Sequence, residues 1–338
     1  MSTSIRRLPG MCNERHRSGP PAGERASGSE LGNGSPPVTR SEVSFDSAGQ
    51  RCDAWLYRPA GPGPVPCVVM AHEFGGSRSA RLDAFAERFS RAGLAVLVFD
   101  YRHLGTSEGQ PRGLIDIDRQ RDDYRAAVTY ARGLRGIDAG GIALWGTSFS
   151  SGHVLTLAAE DSEIAAGVIQ NPYVDGPAGV RKSRASAGLR TSRALARAWI
   201  RDELRNLRGR EPHRVKLVGE PGSVAIWTTP DALAGYESIL PADRAGWEPA
   251  VPARILLRTV FDRPIRGIRA ITCPLLVCVC DRDRIAPVRP AIRVARHAPR
   301  GELRRYPLGH FDVFTGDGFD QVVSDQTAFL RRVLHTQP

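Results

Sequence analysis

A serine between two structured stretches is the residue of this chain best placed for nucleophilic chemistry. Ser148 stands in the motif Gly146-Thr147-Ser148-Phe149-Ser150, after the apolar run 141–145 and before a predicted helix that begins near Gly152. A strand that turns sharply into a helix at a serine forms a nucleophile elbow, which requires small neighbours and aims a helix N-terminus at the reacting oxygen. The motif is G-x-S-x-G with serine at its last position. A plain strand-to-helix turn without chemistry is the alternative.

A serine becomes a useful nucleophile only when a base lies within hydrogen-bond reach and a third group orients that base. The predicted strand 275–279 runs into Asp281 and Asp283, which places both carboxylates at its C-terminal end. Asp283 is the preferred acid; Asp281 is the alternative and otherwise shapes the turn. His310 follows the last predicted strand, as a base above a sheet should. The chain therefore supplies a nucleophile, an acid and a base in the order Ser148, Asp283, His310.

Acyl transfer also requires N–H donors for the oxyanion that develops in the transition state. The backbone N–H of Phe149, directly after Ser148, is the first candidate. The second is the N–H of Phe74, in the loop 71–76 that follows a predicted strand and contains two glycines. This loop does not carry the zinc motif H-E-x-x-H, because Gly76 occupies the position of its second histidine.

The rest of the sequence must place these groups along one edge of a sheet. Continuous apolar runs, typical of parallel strands buried on both faces, occur at 66–71, 94–99, 141–145, 165–169 and 274–279. Helical patterns occur at 81–92, 117–134, 152–159 and 290–298, and a short strand 302–306 and a helix 319–334 end the chain. This alternation predicts an α/β fold with a doubly wound, mostly parallel sheet. Alternating segments at 41–45 and 53–57 predict an N-terminal antiparallel hairpin.

Composition divides the chain into three parts. Residues 1–37 are rich in Arg, Gly, Ser and Pro without apolar periodicity, so we expect a disordered tail. Residues 38–175 and 266–338 carry the strand–helix rhythm and form the predicted core. Residues 176–265 break the rhythm, and insertions in α/β folds usually lie over the carboxyl edge of the sheet. They are therefore predicted to form a lid over the active site. The alternative is an insertion that has no role there.

Within this insertion the sequence predicts three kinds of element. The Arg/Ala-rich stretch 184–207 is typical of a helix with a solvated face. The apolar stretches 215–218 and 224–227 indicate a hairpin, and 230–240 indicates another helix.

Composition also limits the partners that we expect. The net charge of +11 comes almost entirely from arginines spread among acids, without a nucleic-acid motif, so nucleic-acid binding is not expected. No run reaches the roughly 18 apolar residues of a membrane span, and no apolar signal segment opens the chain, so we expect a cytoplasmic protein that does not enter membranes. The six cysteines lack a C-x-x-C pair or clustered histidines, so no metal site is predicted. The oligomeric state stays open, a homodimer included.

From about 38 to 334 the chain resembles the α/β-hydrolase superfamily. The elbow, the D-x-x-x-P loop 283–287, the G-H-F loop 309–311 and the segment 99–109 carry the resemblance. It implies the α/β-hydrolase fold and the order Ser, Asp, His of its catalytic residues. More narrowly, the chain is similar to hydrolases near the dienelactone-hydrolase and X-Pro-peptidase-like branches. Segments 310–316 and 229–232 resemble members found with natural-product pathways, some of them polyketide thioesterases or acyl transferases.

Glu73 departs from the superfamily pattern, because most relatives have glycine there. Dienelactone hydrolases carry a glutamate after this strand that approaches the nucleophile. By that resemblance Glu73 contacts Ser148 and holds it in an inactive or proton-sharing state until substrate binds. A solvent-facing side chain beside an unaffected oxyanion loop is the alternative.

The predicted activity is that of a serine hydrolase that cleaves an ester, thioester or lactone through an acyl-enzyme on Ser148, without metal or cofactor. The predicted partner is a small-molecule acyl substrate, free or attached to a carrier protein. Alternatives are an acyltransferase or thioesterase that releases a polyketide chain, an X-Pro-type peptidase, and a non-catalytic binding protein with this fold. The peptidase would need an acidic site for the substrate α-amine, and the arginine-rich insertion argues against one.

Overall fold

The computed structural model describes residues 38–244 and 247–334, so the tail predicted over 1–37 lies outside the described residues. The strands are β1 (Thr39–Ser47), β2 (Gln50–Arg58), β3 (Val65–Ala71), β4 (Ala95–Phe99), β5 (Ile137–Thr147), β6 (Ala166–Gln170), β7 (Arg214–Val218), β8 (Ala225–Trp227), β9 (Ala250–Pro252), β10 (Leu275–Cys280) and β11 (Gly301–Tyr306). The α-helices are α1 (Leu82–Arg91), α2 (Ile117–Arg132), α3 (Ser150–Glu160), α4 (Gly176–Asn206), α5 (Ala232–Ile239), α6 (Ile255–Phe261), α7 (Val288–His297) and α8 (Gly316–Leu334). Short 3₁₀ helices cover Pro264–Ala270 and Asp312–Phe314.

An eight-stranded sheet in the order β1-β2-β4-β3-β5-β6-β10-β11 forms the centre of the molecule. β2 pairs antiparallel with both neighbours, and all strands from β4 to β11 in this order pair in parallel. The predicted doubly wound α/β sheet and its N-terminal antiparallel hairpin are confirmed. No helix within 38–244 and 247–334 has the length and apolarity needed to cross a membrane.

Both faces of this sheet are covered, which explains the uninterrupted apolar runs of its strands. Along β3, Cys67 and Val69 join the cluster that packs beneath α2, α3 and α7, whereas Val68 and Met70 join the cluster beneath α1 and α8. Successive side chains of a strand point to opposite faces, so a strand between two helical layers needs apolar residues at every position. The sheet is thus a rigid support whose carboxyl edge is free to carry functional groups.

The long connection between β6 and β10 contains a second, three-stranded sheet in the order β8-β7-β9. The predicted hairpin of 215–218 and 224–227 is wrong, because β7 and β8 pair in parallel. The paired stretch covers three residues of each strand, or roughly 7 Å, so the six-residue loop between them can return the chain to the level of Lys216. β9 supplies the antiparallel partner of β7 instead.

The helix predicted over 184–207 begins earlier, at Gly176, and is interrupted in its middle. The Asp175 carboxylate accepts a hydrogen bond from the N–H of Ala178 at 3.1 Å, and Pro177 occupies the first turn. Both are start signals of a helix. At Gly188 the backbone leaves the helical region with φ +76° and ψ 175°, so α4 is two helical segments joined at a kink.

Candidate active site

Ser148 lies at the turn between β5 and α3 in a backbone conformation that serine rarely adopts. Its φ is +52°, and its N–H donates to the carbonyl of Gln170 at 2.8 Å. A left-handed conformation at a non-glycine residue costs about 1–3 kcal/mol and persists at functional sites where its surroundings fix it. Gly146 allows the turn to close, since a Cβ there would lie 2.7 Å from the carbonyl oxygen of Ser150. The turn has the geometry of a nucleophile elbow.

Ser150, which replaces the last glycine of the motif, stabilises this turn through its hydroxyl. The oxygen accepts a hydrogen bond from the N–H of Thr147 at 2.9 Å and lies 3.0 Å from the carbonyl of Ala71. The side chain therefore links the carboxyl ends of β5 and β3, the two strands that carry Ser148 and the candidate oxyanion loop. A glycine could not make this link.

Asp283 and His310 meet at the carboxyl edge of the sheet, where both are buried. The Nδ1–H of His310 donates to Oδ2 of Asp283 at 2.7 Å. The other carboxylate oxygen accepts the N–H groups of Ile285 and Ala286, each at 2.7 Å. Since a carboxylate only accepts hydrogen bonds, Asp283 fixes the tautomer that leaves Nε2 of His310 free to take a proton.

The alternative acid, Asp281, has a different partner. Its side chain is exposed and pairs with Nε of Arg305 at 2.9 Å. Ser148, Asp283 and His310 follow β5, β10 and β11, so the ends of three parallel strands present them at one edge of the sheet. The structure thus brings the predicted acid to the predicted base and places Asp281 in a surface ion pair.

Glu73 points inward and faces the predicted base. Its side chain is 6% exposed, and Oε2 lies 3.9 Å from Nε2 of His310. The other oxygen, Oε1, has no hydrogen-bond partner within the described residues. The alternative of a solvent-facing side chain is therefore wrong. The contact that the structure shows is with His310, and the predicted contact with Ser148 stays a prediction.

The surroundings of His310 favour its protonated form. Burial opposes the charged imidazole, but the Asp283 carboxylate, with a smaller contribution from Glu73, outweighs burial and raises the pKa of His310 to about 10. The raised pKa means that the proton-accepting form of His310 appears only as the pH increases. Glu73, on the Nε2 side, stabilises a proton on the nitrogen that must be free to accept the proton of Ser148.

Replacing Glu73 by glutamine should shift the acidic limb of the pH profile of kcat/KM to lower pH, because a negative charge near Nε2 is lost. The pKa of His310 falls, so more of the free base exists at neutral pH. The measurement is a pH–rate profile of wild type and Glu73→Gln on one ester. Superimposable profiles would contradict an effect of this carboxylate on His310.

The residues of the two candidate oxyanion donors follow β3 and precede α3, and their side chains are in contact. Within the described residues the N–H groups of Phe74 and Phe149 donate to no protein acceptor. Their rings meet edge to face at a centroid distance of 5.0 Å. Both residues line the same cavity as Ser148, and N–H groups without a protein acceptor are what an oxyanion requires.

Two residues of the inserted segment hold the Phe74 loop in place, and sequence reasoning missed both. The hydroxyl of Tyr236, on α5, donates to the carbonyl of Phe74 at 3.1 Å. Leu217, on β7, packs against Gly75, whose φ is +70° and where a Cβ would lie 2.6 Å from the leucine side chain. No short-range signal connects these residues to a loop more than 140 positions earlier, so only the tertiary structure reveals the contact.

A cavity of about 510 Å³ opens at Ser148 and extends beneath the inserted segment. This volume is within the range of small-molecule sites. The lining is largely apolar, and its residues come from the elbow, the Phe74 loop, the loop between β6 and α4, α4, β8 and α6: Phe74, Ser148, Phe149, Tyr173, Gly179, Val180, Ser183, Arg184, Leu189, Ser192, Arg193, Leu195, Ala196, Trp199, Ile226, Trp227, Leu256, Leu257, Thr259 and Val260. The charged members of this lining are the two arginines.

Several known proteins are similar to this chain. A family model described as X-Pro dipeptidyl-peptidase (S15 family) matches residues 48–196. The chain is 42% identical to the quorum-quenching protein AidA of Acinetobacter baumannii, over 87% of this chain and 95% of that protein. It is 32% identical to the polyketide transferase ATR5 of Stachybotrys chlorohalonatus, over 88% and 98%. The structure of the α/β hydrolase GrgF from Penicillium is similar with a TM-score of 0.73 and 26% identity, over 88% and 99%.

Proposed function

We propose that this chain, which belongs to the α/β-hydrolase superfamily near its X-Pro-peptidase-like branch, is a serine hydrolase that cleaves an ester, thioester or lactone. The observation that carries the proposal is the hydrogen bond between His310 and Asp283 at the sheet edge that also holds the strained Ser148. Strain at the serine, a fixed imidazole tautomer and unengaged N–H groups are the parts that acyl transfer needs.

In the proposed reaction the oxygen of Ser148 attacks the acyl carbon while Nε2 of His310 takes its proton. The N–H groups of Phe74 and Phe149 hold the oxyanion, and Asp283 stabilises the imidazolium. The bond from the acyl carbon to the leaving oxygen or sulfur then breaks, and His310 returns the proton to that atom. Water, or an acceptor alcohol or amine, releases the acyl group from Ser148 by the reverse sequence. The chain needs no further group for these steps.

The cavity supports an acyl group with a substantial apolar part. Its walls are aromatic and aliphatic side chains, and burial of apolar surface contributes roughly 25 cal/mol per Å². The names of the relatives, a quorum-quenching protein and a polyketide transferase, support a substrate from signalling or natural-product chemistry. A polyketide chain, as a thioester or an ester, fits a cavity with these walls.

An X-Pro-type peptidase is the second candidate, because a family model of that name matches residues 48–196. Such an enzyme needs a carboxylate that binds the α-amine of the substrate. The residues that line the cavity include Arg184 and Arg193 but no aspartate or glutamate. Two cations in this position repel an ammonium group, so the lining favours an acyl substrate.

A series of p-nitrophenyl esters from acetyl to dodecanoyl tests the proposal. Wild type should hydrolyse the series with kcat/KM that increases with chain length until the cavity is filled. Ala196 lines the cavity, and Ala196→Phe places a ring in it, so we expect at least an approximately tenfold loss on the longest ester and little loss on acetyl. No turnover of any ester or matching thioester by wild type would refute the proposed function; equal losses across the series would refute the role of the cavity.

A further inference from the structure

A second concave site lies on the other side of α4 from the cavity. It has a volume of about 380 Å³ and is lined by alanines, valines and a cluster of basic residues: Arg197, Arg201, His213, Arg214 and Lys216. We call this site the basic cleft. Arg197 and Arg201 are one helical turn apart and so lie on one side of α4. On β7, side chains alternate between the two faces, so Lys216 lies on the same face as Arg214, while Val215 and Leu217 point to the other face and are buried.

The carboxylates near the basic cleft neutralise only part of its positive charge. Asp202, on α4, is fully buried and is paired with Arg254 at 2.8 Å. Glu248 lies 3.9 Å from Arg214. Within the described residues the side chains of Arg197, Arg201 and Lys216 make no hydrogen bond or ion pair. Like charges one helical turn apart destabilise a helix, so a bound anion would relieve the repulsion in this cleft.

The size and chemistry of the basic cleft fit a phosphate group. Arginine presents several N–H donors in a planar fork that matches phosphate oxygens, and a lysine adds a mobile point charge. A phosphate carries more charge than one carboxylate and accepts hydrogen bonds in several directions. Three unpaired cations around one concavity therefore favour a phosphorylated ligand.

The basic cleft and the cavity lie on opposite sides of the same stretch of α4, about three turns long. Ser192, Ala196 and Trp199 line the cavity, while Arg197 and Arg201 line the cleft. The solvent side of the helix joins the two sites and carries Ile200, which is 48% exposed. A helix with its side chains is about 10–12 Å across. A flexible arm of roughly 17 Å, the length of about five extended residues, can cross this surface from one site to the other.

We propose that the basic cleft binds the phosphate of a phosphopantetheine arm, so that the substrate of Ser148 is an acyl thioester on a phosphorylated carrier. The inference rests on the proposed function. The arm would cross the exposed side of α4, where Ile200 lies, and deliver the acyl group to the cavity. Attack by Ser148 forms the ester and breaks the C–S bond, and the thiol leaves with the proton that His310 took from the serine.

The test compares one acyl group, hexanoyl, on pantetheine and on phosphopantetheine. Wild type should prefer the phosphorylated thioester in kcat/KM by about tenfold or more, as charge-assisted hydrogen bonds to phosphate imply. Arg197→Ala/Lys216→Ala should reduce this ratio towards one. The matched control is Arg293→Ala/Arg296→Ala, which removes the same charge from exposed positions of α7 and should keep the wild-type ratio.

Hexanoyl-CoA and a hexanoyl carrier protein, assayed in the same way, distinguish a free from a protein-bound arm. A preference over the pantetheine thioester that is equal with both assigns the cleft to the phosphate itself, and one that increases further with the carrier protein assigns it to a protein-bound arm. A ratio near one in wild type, or an equal fall in the α7 control, would overturn the proposal. So would binding to anionic phospholipid vesicles that depends on Arg197 and Lys216 without any preference between thioesters. If wild type cleaves neither thioesters nor p-nitrophenyl esters, the proposed function itself fails, which is a separate outcome.

Discussion

Ser148→Ala should abolish covalent labelling by a fluorophosphonate probe and lower kcat on an ester by on the order of 10⁴–10⁶-fold. Removal of the hydroxyl leaves no atom to form the acyl-enzyme, and the residual rate comes from binding and the oxyanion donors alone. The loss should appear in kcat far more than in KM, because alanine leaves the apolar cavity intact. Labelling followed by intact-mass spectrometry, together with steady-state kinetics, measures both effects.

A neighbouring serine provides the control for this result. Ser151, three positions further along α3, is buried and donates to the carbonyl of Gly146 at 3.1 Å. Ser151→Ala removes the same chemical group three residues away and should remain labelled. Equal thermal melting of the Ser148 variant and wild type would exclude misfolding as the cause. Undiminished labelling of Ser148→Ala would identify another nucleophile and refute the mechanism.

Much of the core was predictable because its determinants are local. Uninterrupted apolar runs separated by amphipathic helices located the parallel strands, whose ends lie within a few residues of the predicted ones. β5 is longer at its start, because Ile137–Gly140 continue the strand beyond its fully buried part. The positions of the candidate nucleophile, acid and base followed from the same logic, since a polar residue directly after a buried strand lies at the carboxyl edge of the sheet.

The inserted segment was less predictable, because its pairing depends on distant contacts. β7 pairs with β9, more than 30 residues later, and this antiparallel partner leaves β8 to pair in parallel on the other side. One local signal was available and missed. Asp175, followed by Gly176 and Pro177, has the composition of a helix start and marks the true beginning of α4.

The orientation of Glu73 shows a further limit of sequence reasoning. Its position after β3 put it near the site, but whether it faced solvent, Ser148 or His310 depended on the β11 loop that brings His310 above it. The contacts of Tyr236 and Leu217 with the Phe74 loop have the same origin. They also connect the inserted segment to the loop that carries a candidate oxyanion donor.

Asp283→Asn should lower kcat by on the order of 10⁴-fold, as the loss of a carboxylate behind a catalytic histidine does in serine hydrolases. Asparagine preserves the shape but can present an N–H to Nδ1, which favours the tautomer that carries its proton on Nε2 and cannot accept one from Ser148.

Asp281→Asn removes the same charge two residues away, where the carboxylate pairs with exposed Arg305, and should change kcat by no more than a few-fold. Steady-state kinetics of both variants across the pH range separates the two roles, because loss of the Asp283 charge also lowers the pKa of His310. A large loss in Asp281→Asn with a small one in Asp283→Asn would contradict the assignment, and with it the proposed geometry of the acyl-transfer site.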